Sequence, residues 1–162
     1  MHKKIYIIGF IGLIFDQFTK ILVDKFMDLN SSISLIGDFF SLKYIRNTGA
    51  AWGILSNNTL ILALISVVFL ILFIKYINNE KEISKISELS FGLIFGGIIG
   101  NLIDRLFRTY VIDFFSFNFF GYHFPVFNIA DILIVVAVIL LIIECIIVGD
   151  DKNDSRRRKE KN

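Results

Sequence analysis

At 162 residues, 55% of them hydrophobic, and with a mean hydropathy of +0.69, the chain holds more apolar side chain than a soluble domain of this size needs, which puts it in the membrane class. Its formal net charge of +2 is unremarkable, so the placement of charge says more than its sum. A lone cysteine, Cys145, excludes an intrachain disulfide, and a lone proline, Pro125, excludes a Pro-rich linker.

One compact membrane domain over residues 1–148 is expected, built on four apolar segments at 5–23, 59–77, 89–107 and 130–148. Each is about 19 residues long, which at about 1.5 Å per residue covers a hydrocarbon core of about 30 Å. The first resembles a signal peptide in having Lys3 and Lys4 before its apolar run. That run leads into Asp16-Gln17-Phe18-Thr19-Lys20 with no small-residue cleavage site, so the segment is expected to be retained. Asp16, Thr19 and Lys20 fall at i, i+3 and i+4 on one helical face, which must turn into the bundle. Two readings stay open for them: a self-neutralising ion pair, or support for a site elsewhere.

Beyond this span, the stretch 34–46 is rich in aromatic and β-branched residues and alternates in part, which predicts a short sheet or hairpin on the membrane surface. The second span has Ser66 as its only polar group between Leu60 and Ile74 and reads as scaffold. The third carries Gly92, Gly96 and Gly100 at every fourth position, a stripe that lets a neighbouring helix backbone come close. Asn101, Asp104, Arg105 and Arg108 come immediately after. Asp104 and Arg105 can pair at a helix end, with Arg105 snorkelling. Alternatively, Asn101 and Arg105 can grip an extended backbone or a lipid carbonyl.

The outer segment 108–127 holds eight aromatic residues from Phe114 to Phe127 and predicts an interfacial anchor. Asp113 stands among Val111, Ile112, Phe114 and Phe115, a partly dry setting. Before the fourth span, Asn128 suits an N-cap with Asp131 at N3, the positions of a reciprocal capping arrangement. Asp131 is nevertheless about a turn inside an apolar span. An ionisable group there costs about 2.5–3.5 kcal/mol even on lenient insertion scales and marks function by default. Cys145, in the same run, is expected to be buried and inert. Residues 149–162 are charged without an apolar face and read as a disordered basic tail that touches anionic lipid.

Orientation comes from Lys and Arg. Eleven of the 17, from Lys3 and Lys4 through the run Arg156-Arg157-Arg158-Lys159 to Lys161, lie in the termini and the inner loop, which puts both termini in the cytoplasm. Asp113 and Asp131 then lie toward the outer face. Two carboxylates at one depth can share a proton, which is aspartic-protease chemistry. His2 and His123 lack metal-ligand spacing, and no Ser/His pair sits in a span. A cation or proton conduit is the rival class, but it should spread its carboxylates through the membrane, whereas all but Asp16 cluster at the outer end.

In chain order, five motifs closely resemble those of lipoprotein signal peptidase (signal peptidase II): Asp16-Gln17-Phe18-Thr19-Lys20; Arg46-Asn47-Thr48-Gly49-Ala50-Ala51-Trp52-Gly53; the stretch from Gly96 to Arg105; Val111-Ile112-Asp113-Phe114; and the stretch from Phe124 to Asp131. The resemblance implies an all-α polytopic membrane protein, with four transmembrane helices and a small extracytoplasmic β-element, in the bacterial cytoplasmic membrane. It implies removal of the signal peptide from diacylglyceryl-modified prolipoproteins by a cut just before the lipidated cysteine. By motif, Asp113 and Asp131 are the catalytic pair. Asn47, Asn101, Asp104, Arg105 and Asn128 belong to the supporting set, with Asp16 and Lys20 as its structural members. The expected partners are lipid-modified prolipoproteins and membrane lipids, with no nucleic acid, no metal and no organic cofactor, and the expected state is a monomer.

Overall fold

The computed structural model describes residues 2–50 and 54–160, with side chains up to residue 147. Four helices are long and apolar enough to cross a membrane: α1 (Lys3–Phe26), α2 (Thr59–Asn79), α3 (Lys85–Phe107) and the first part of α4 (Ile129–Glu160), through Ile147. Between them lie four strands, β1 (Ser32–Ile36) and β2 (Phe40–Asn47) after α1, and β3 (Val111–Phe119) and β4 (Tyr122–His123) after α3. They form one antiparallel arrangement in the order β1-β2-β3-β4.

The helix ends depart from the apolar runs because caps, and not hydropathy, set them. Ser84 accepts the Ser87 N–H at 3.0 Å, so α3 starts at Lys85, four residues before the apolar run from Leu89. At the other end of the chain, helical backbone continues to Glu160, through the segment whose composition argues for disorder. No proline interrupts it, and Lys, Arg and Glu are good helix formers.

α3 is the centre of the bundle, packed against α1 and α4 and more lightly against α2. Gly92, Gly96 and Gly100 face α1, and Gly97 faces α4. A Cβ on Gly96 would sit 2.5 Å from the Gly9 carbonyl oxygen and 3.2 Å from its Cα, so only glycine permits this approach. α2 is largely exposed, as a helix bordered by lipid should be. Cys145 is also exposed, contrary to the expectation of burial, because this part of α4 is covered on few sides by the protein.

The sheet closes one end of the bundle. β2 and β3 pair so that Ile45 is opposite Asp113 and Asn47 opposite Val111, with a register shift between Leu42 and Ile45. Val23, Tyr44, Ile112, Phe114 and Ile129 form the core between sheet and helices. Tyr44 also donates its hydroxyl to Asp24 on α1 and receives the Arg46 Nε–H at 3.0 Å. Burial and Asp24 push the Tyr44 hydroxyl up to about 12. Phe120 (φ 52°) and Gly121 (φ 92°) make the two-residue turn between β3 and β4, and Phe120 stands fully exposed. The segment read as an interfacial aromatic anchor is thus a paired strand. Residues 111–114 are buried on both faces and show no alternation to mark them as β.

Candidate active site

A cavity of about 570 Å³ opens where the sheet meets α3 and α4. Its polar lining is Asn47 from the end of β2, Asn101 and Arg105 from α3, Asp113 from β3 and Asp131 from the first turn of α4. The rest is mostly apolar, with residues 124–127 and Ile134, Val135 and Val136 among it. Of the motif containing Trp52, residues 51–53 lie outside the described ones.

Three asparagines bind the two aspartates. Asn47 uses its Oδ1 to accept the Gly49 N–H at 2.9 Å, which turns its Nδ2 toward Asp113 Oδ2 at 2.8 Å. Asn128 accepts the Asp131 N–H on Oδ1 at 3.2 Å, and Asp131 Oδ2 accepts the Asn128 N–H at 3.2 Å. The reciprocal cap expected from sequence is therefore present. The same cap turns Asn128 Nδ2 to Asp113 Oδ1 at 2.6 Å and to Asn101 Oδ1 at 3.1 Å. Asn101 in turn donates from Nδ2 to Asp131 Oδ1 at 2.8 Å. Capping and site-building are done by the same two side chains, through different atoms.

Asp113 is 2% exposed. Burial first, and the nearby charge of Asp131 second, raise its carboxyl from 3.8 to about 7, against the opposing hydrogen bonds from Asn47 and Asn128. A carboxyl at about 7 can hold a proton or release it at neutral pH, which suits acid–base work.

Beneath the cavity lies a second, fully buried cluster. Lys20 Nζ reaches Asp16 Oδ2 at 2.9 Å, Asp104 Oδ2 at 3.0 Å and Asn101 Oδ1 at 2.9 Å. Asp16 Oδ1 accepts the Ala130 N–H at 2.9 Å, so α1 satisfies a donor at the start of α4. Asp104 Oδ2 accepts the Ile112 N–H at 3.2 Å, and its Oδ1 pairs with Arg108. Gln17 bridges Asp16, the Gly100 carbonyl and Asp104 at 3.1–3.2 Å. Sequence reasoning assigns no role to Gln17 or to an Arg108–Asp104 pair, although the i, i+4 spacing of Asp104 and Arg108 is an available signal. The Asp16–Lys20 ion pair is present, and Lys20 also touches Asn101, the asparagine that donates to Asp131.

For Arg105 the sequence offers three fates: pairing with Asp104, snorkelling, or binding a ligand. It lines the cavity in the field of Asp131, Asp113 and Asp104, and among the described residues it has no hydrogen-bond or ion-pair partner. Asp104 is taken by Lys20 and Arg108 instead.

Residues 8–147 match the family model described as Signal peptidase (SPase) II. The chain is 43% identical over 129 residues to a lipoprotein signal peptidase of Clostridium tetani (strain Massachusetts / E88), which covers 79% of this chain and 83% of that protein. A bacterial membrane enzyme solved by the in meso method at 2.3 Å resolution is similar in structure with a TM-score of 0.80 and 36% identity. It covers 91% of this chain and 88% of its own. A second, solved by the same method at 1.9 Å, has a TM-score of 0.79 and 35% identity, with 90% of this chain and 97% of that one covered.

Proposed function

The chain belongs to the signal peptidase II family and is a membrane peptidase, and on that premise we propose that Asp113 and Asp131 are its catalytic pair, acting on diacylglyceryl-modified prolipoproteins. The observation that carries this reading is the pair of carboxylates on one cavity, joined through Asn128 and Asn101, with Asp113 raised to about 7.

Asp131, ionised, takes a proton from a water molecule that attacks the scissile carbonyl. Asp113, protonated, hydrogen-bonds the carbonyl oxygen and stabilises the tetrahedral intermediate. The proton gained by Asp131 passes to the departing nitrogen as the C–N bond breaks. The products are the carboxylate of the signal peptide and the free amine of the lipidated cysteine. The apolar wall formed by residues 124–127, Ile134, Val135 and Val136 suits the diacylglyceryl chains, which fixes the cut just before the modified residue. In a direct test, detergent-purified protein is given one precursor with and without the diacylglyceryl group, and the products are weighed by mass spectrometry. Cleavage before the cysteine in the lipidated form alone is the expected result; equal turnover of the bare precursor would sink the proposal.

The active site faces outward and both termini are cytoplasmic in this reading. A reporter fused after Asn162 should score as cytoplasmic and one inserted near Asn57 as external, given the Lys/Arg bias toward the termini and inner loop. The reverse pattern would put the aspartates on the wrong side for a translocated substrate.

Arg105, with its fork free among the described residues, is assigned to the substrate backbone or ester carbonyls. Replacing it by Lys keeps the charge but loses the planar pair of donors. The expected result is a KM raised about tenfold with kcat little changed, the signature of lost uniform binding. Normal constants for both Arg105→Lys and Arg105→Gln would make it a surface arginine.

A further inference from the structure

Of the three asparagines around the pair, two are oriented by backbone. The Gly49 N–H holds the Asn47 oxygen, and the Asp131 N–H holds that of Asn128. The Asn101 oxygen is held by side chains, the Lys20 ammonium at 2.9 Å and Asn128 Nδ2 at 3.1 Å. An ammonium has three N–H donors, and Asp16, Asp104 and Asn101 take all three from Lys20. The two carboxylates are matched by two cations, Lys20 and Arg108, so this cluster presents little net charge to the pair above it. What it can transmit is orientation. A flipped Asn101 would point its NH2 at an ammonium and at another NH2, and its carbonyl at a carboxylate. Every contact would then set like against like.

We propose that Lys20 is a positioning residue of the reaction: by holding the Asn101 oxygen it makes Asn101 an obligate donor to Asp131 and keeps Asp131 the ionised, water-activating member of the pair. The inference rests on the assignment of Asp113 and Asp131 as the catalytic pair. Lys20 never meets substrate and acts wholly through Asn101. Among the described residues, Arg105 from α3 and Asp113 from β3 act on Asp131 directly, while Asp16 and Lys20 from α1 and Asp104 and Arg108 from α3 make up the cluster behind Asn101.

A double-mutant cycle on the full-length enzyme tests this. One arm is the charge-balanced pair Asp16→Asn with Lys20→Met, the other is Asn101→Leu, and the third variant combines them. Cleavage of a lipidated precursor is followed across pH, with the folded fraction measured in parallel. Each arm should lower kcat about 10- to 100-fold with KM little moved, as loss of a transition-state interaction does. The combined variant should be no slower than Asn101→Leu alone. Multiplying losses, or an unchanged kcat in the folded fraction, would leave Lys20 a purely structural ion and overturn the proposal.

Should the charge-balanced pair fail to fold, the wild-type enzyme decides by NMR of its asparagine side-chain amides. A single Asn101 rotamer supports the proposal, and two rotamers overturn it. If wild-type enzyme leaves the lipidated precursor intact, the peptidase assignment itself fails. An active wild type with an additive cycle removes only the role of Lys20.

Discussion

Asp113→Asn and Asp131→Asn should each reduce cleavage to background, a loss of about 10²–10⁴-fold or more, while both proteins still insert and fold. The amide is nearly isosteric with the carboxyl, so the cavity keeps its shape, but it can neither hold nor pass the proton. Purified variants incubated with a lipidated precursor give the answer, and wild-type turnover by either one removes the pair from the mechanism. The two substitutions also differ in a measurable way. The charge of Asp131 is the second cause of the raised Asp113 value, so Asp131→Asn should lower that value from about 7 while burial keeps it above 3.8. In the wild type, activity that needs a protonated Asp113 should fall as pH rises through about 7. Stability has the same sign. The folded value lies above the unfolded 3.8, so the contribution of Asp113 is complete below 3.8 and is lost as pH rises through about 7.

Gly96→Val is the second large effect, and it acts far from the chemistry. The added Cβ would meet the Gly9 carbonyl oxygen at 2.5 Å, and that oxygen belongs to helical backbone that cannot turn aside. α1 and α3 must separate or tilt, at a destabilisation of about 3 kcal/mol, the upper end of ordinary overpacking. Because α1 carries Asp16 and Lys20, separation also pulls apart the ion cluster beneath the site. The midpoint of thermal unfolding in detergent should drop sharply, and an unchanged midpoint would show that the two helices do not touch at Gly96.

The parts of this molecule governed by pattern could be read directly from the chain. The four spans come from length and hydropathy, a close helix approach at α3 from the spacing of Gly92, Gly96 and Gly100, though not that α1 makes it, and the Asn128–Asp131 cap from two residue types three apart. Asp113 and Asp131 stood out because ionisable groups among apolar neighbours need a reason. Hidden from a linear reading was anything decided by pairing over distance. β3 has no alternation where it is buried on both faces, so it looked like an anchor. The donors that reach Asp113 come from β2 and from the start of α4, 66 and 15 residues away. Arg105 and Arg108 are three apart on one helix, and nothing local says which of them will neutralise Asp104. The bundle decides, by turning Arg108 to Gln17 and Arg105 to the cavity.

The buried cluster also imposes an order on assembly. Of the four helices α1 is made before the others, with Asp16 and Lys20 one turn apart and able to pair, and so enters lipid as a locally neutral segment. Two of the Lys20 donors then wait for Asp104 and Asn101, which arrive only with the third span. The other oxygen of Asp16 waits longer still, for the Ala130 N–H at the head of the last span. That same span brings Asp131. A nascent chain with α1, α2 and α3 inserted therefore has Asp113 but not Asp131, and the proposed pair comes together only when α4 enters the membrane.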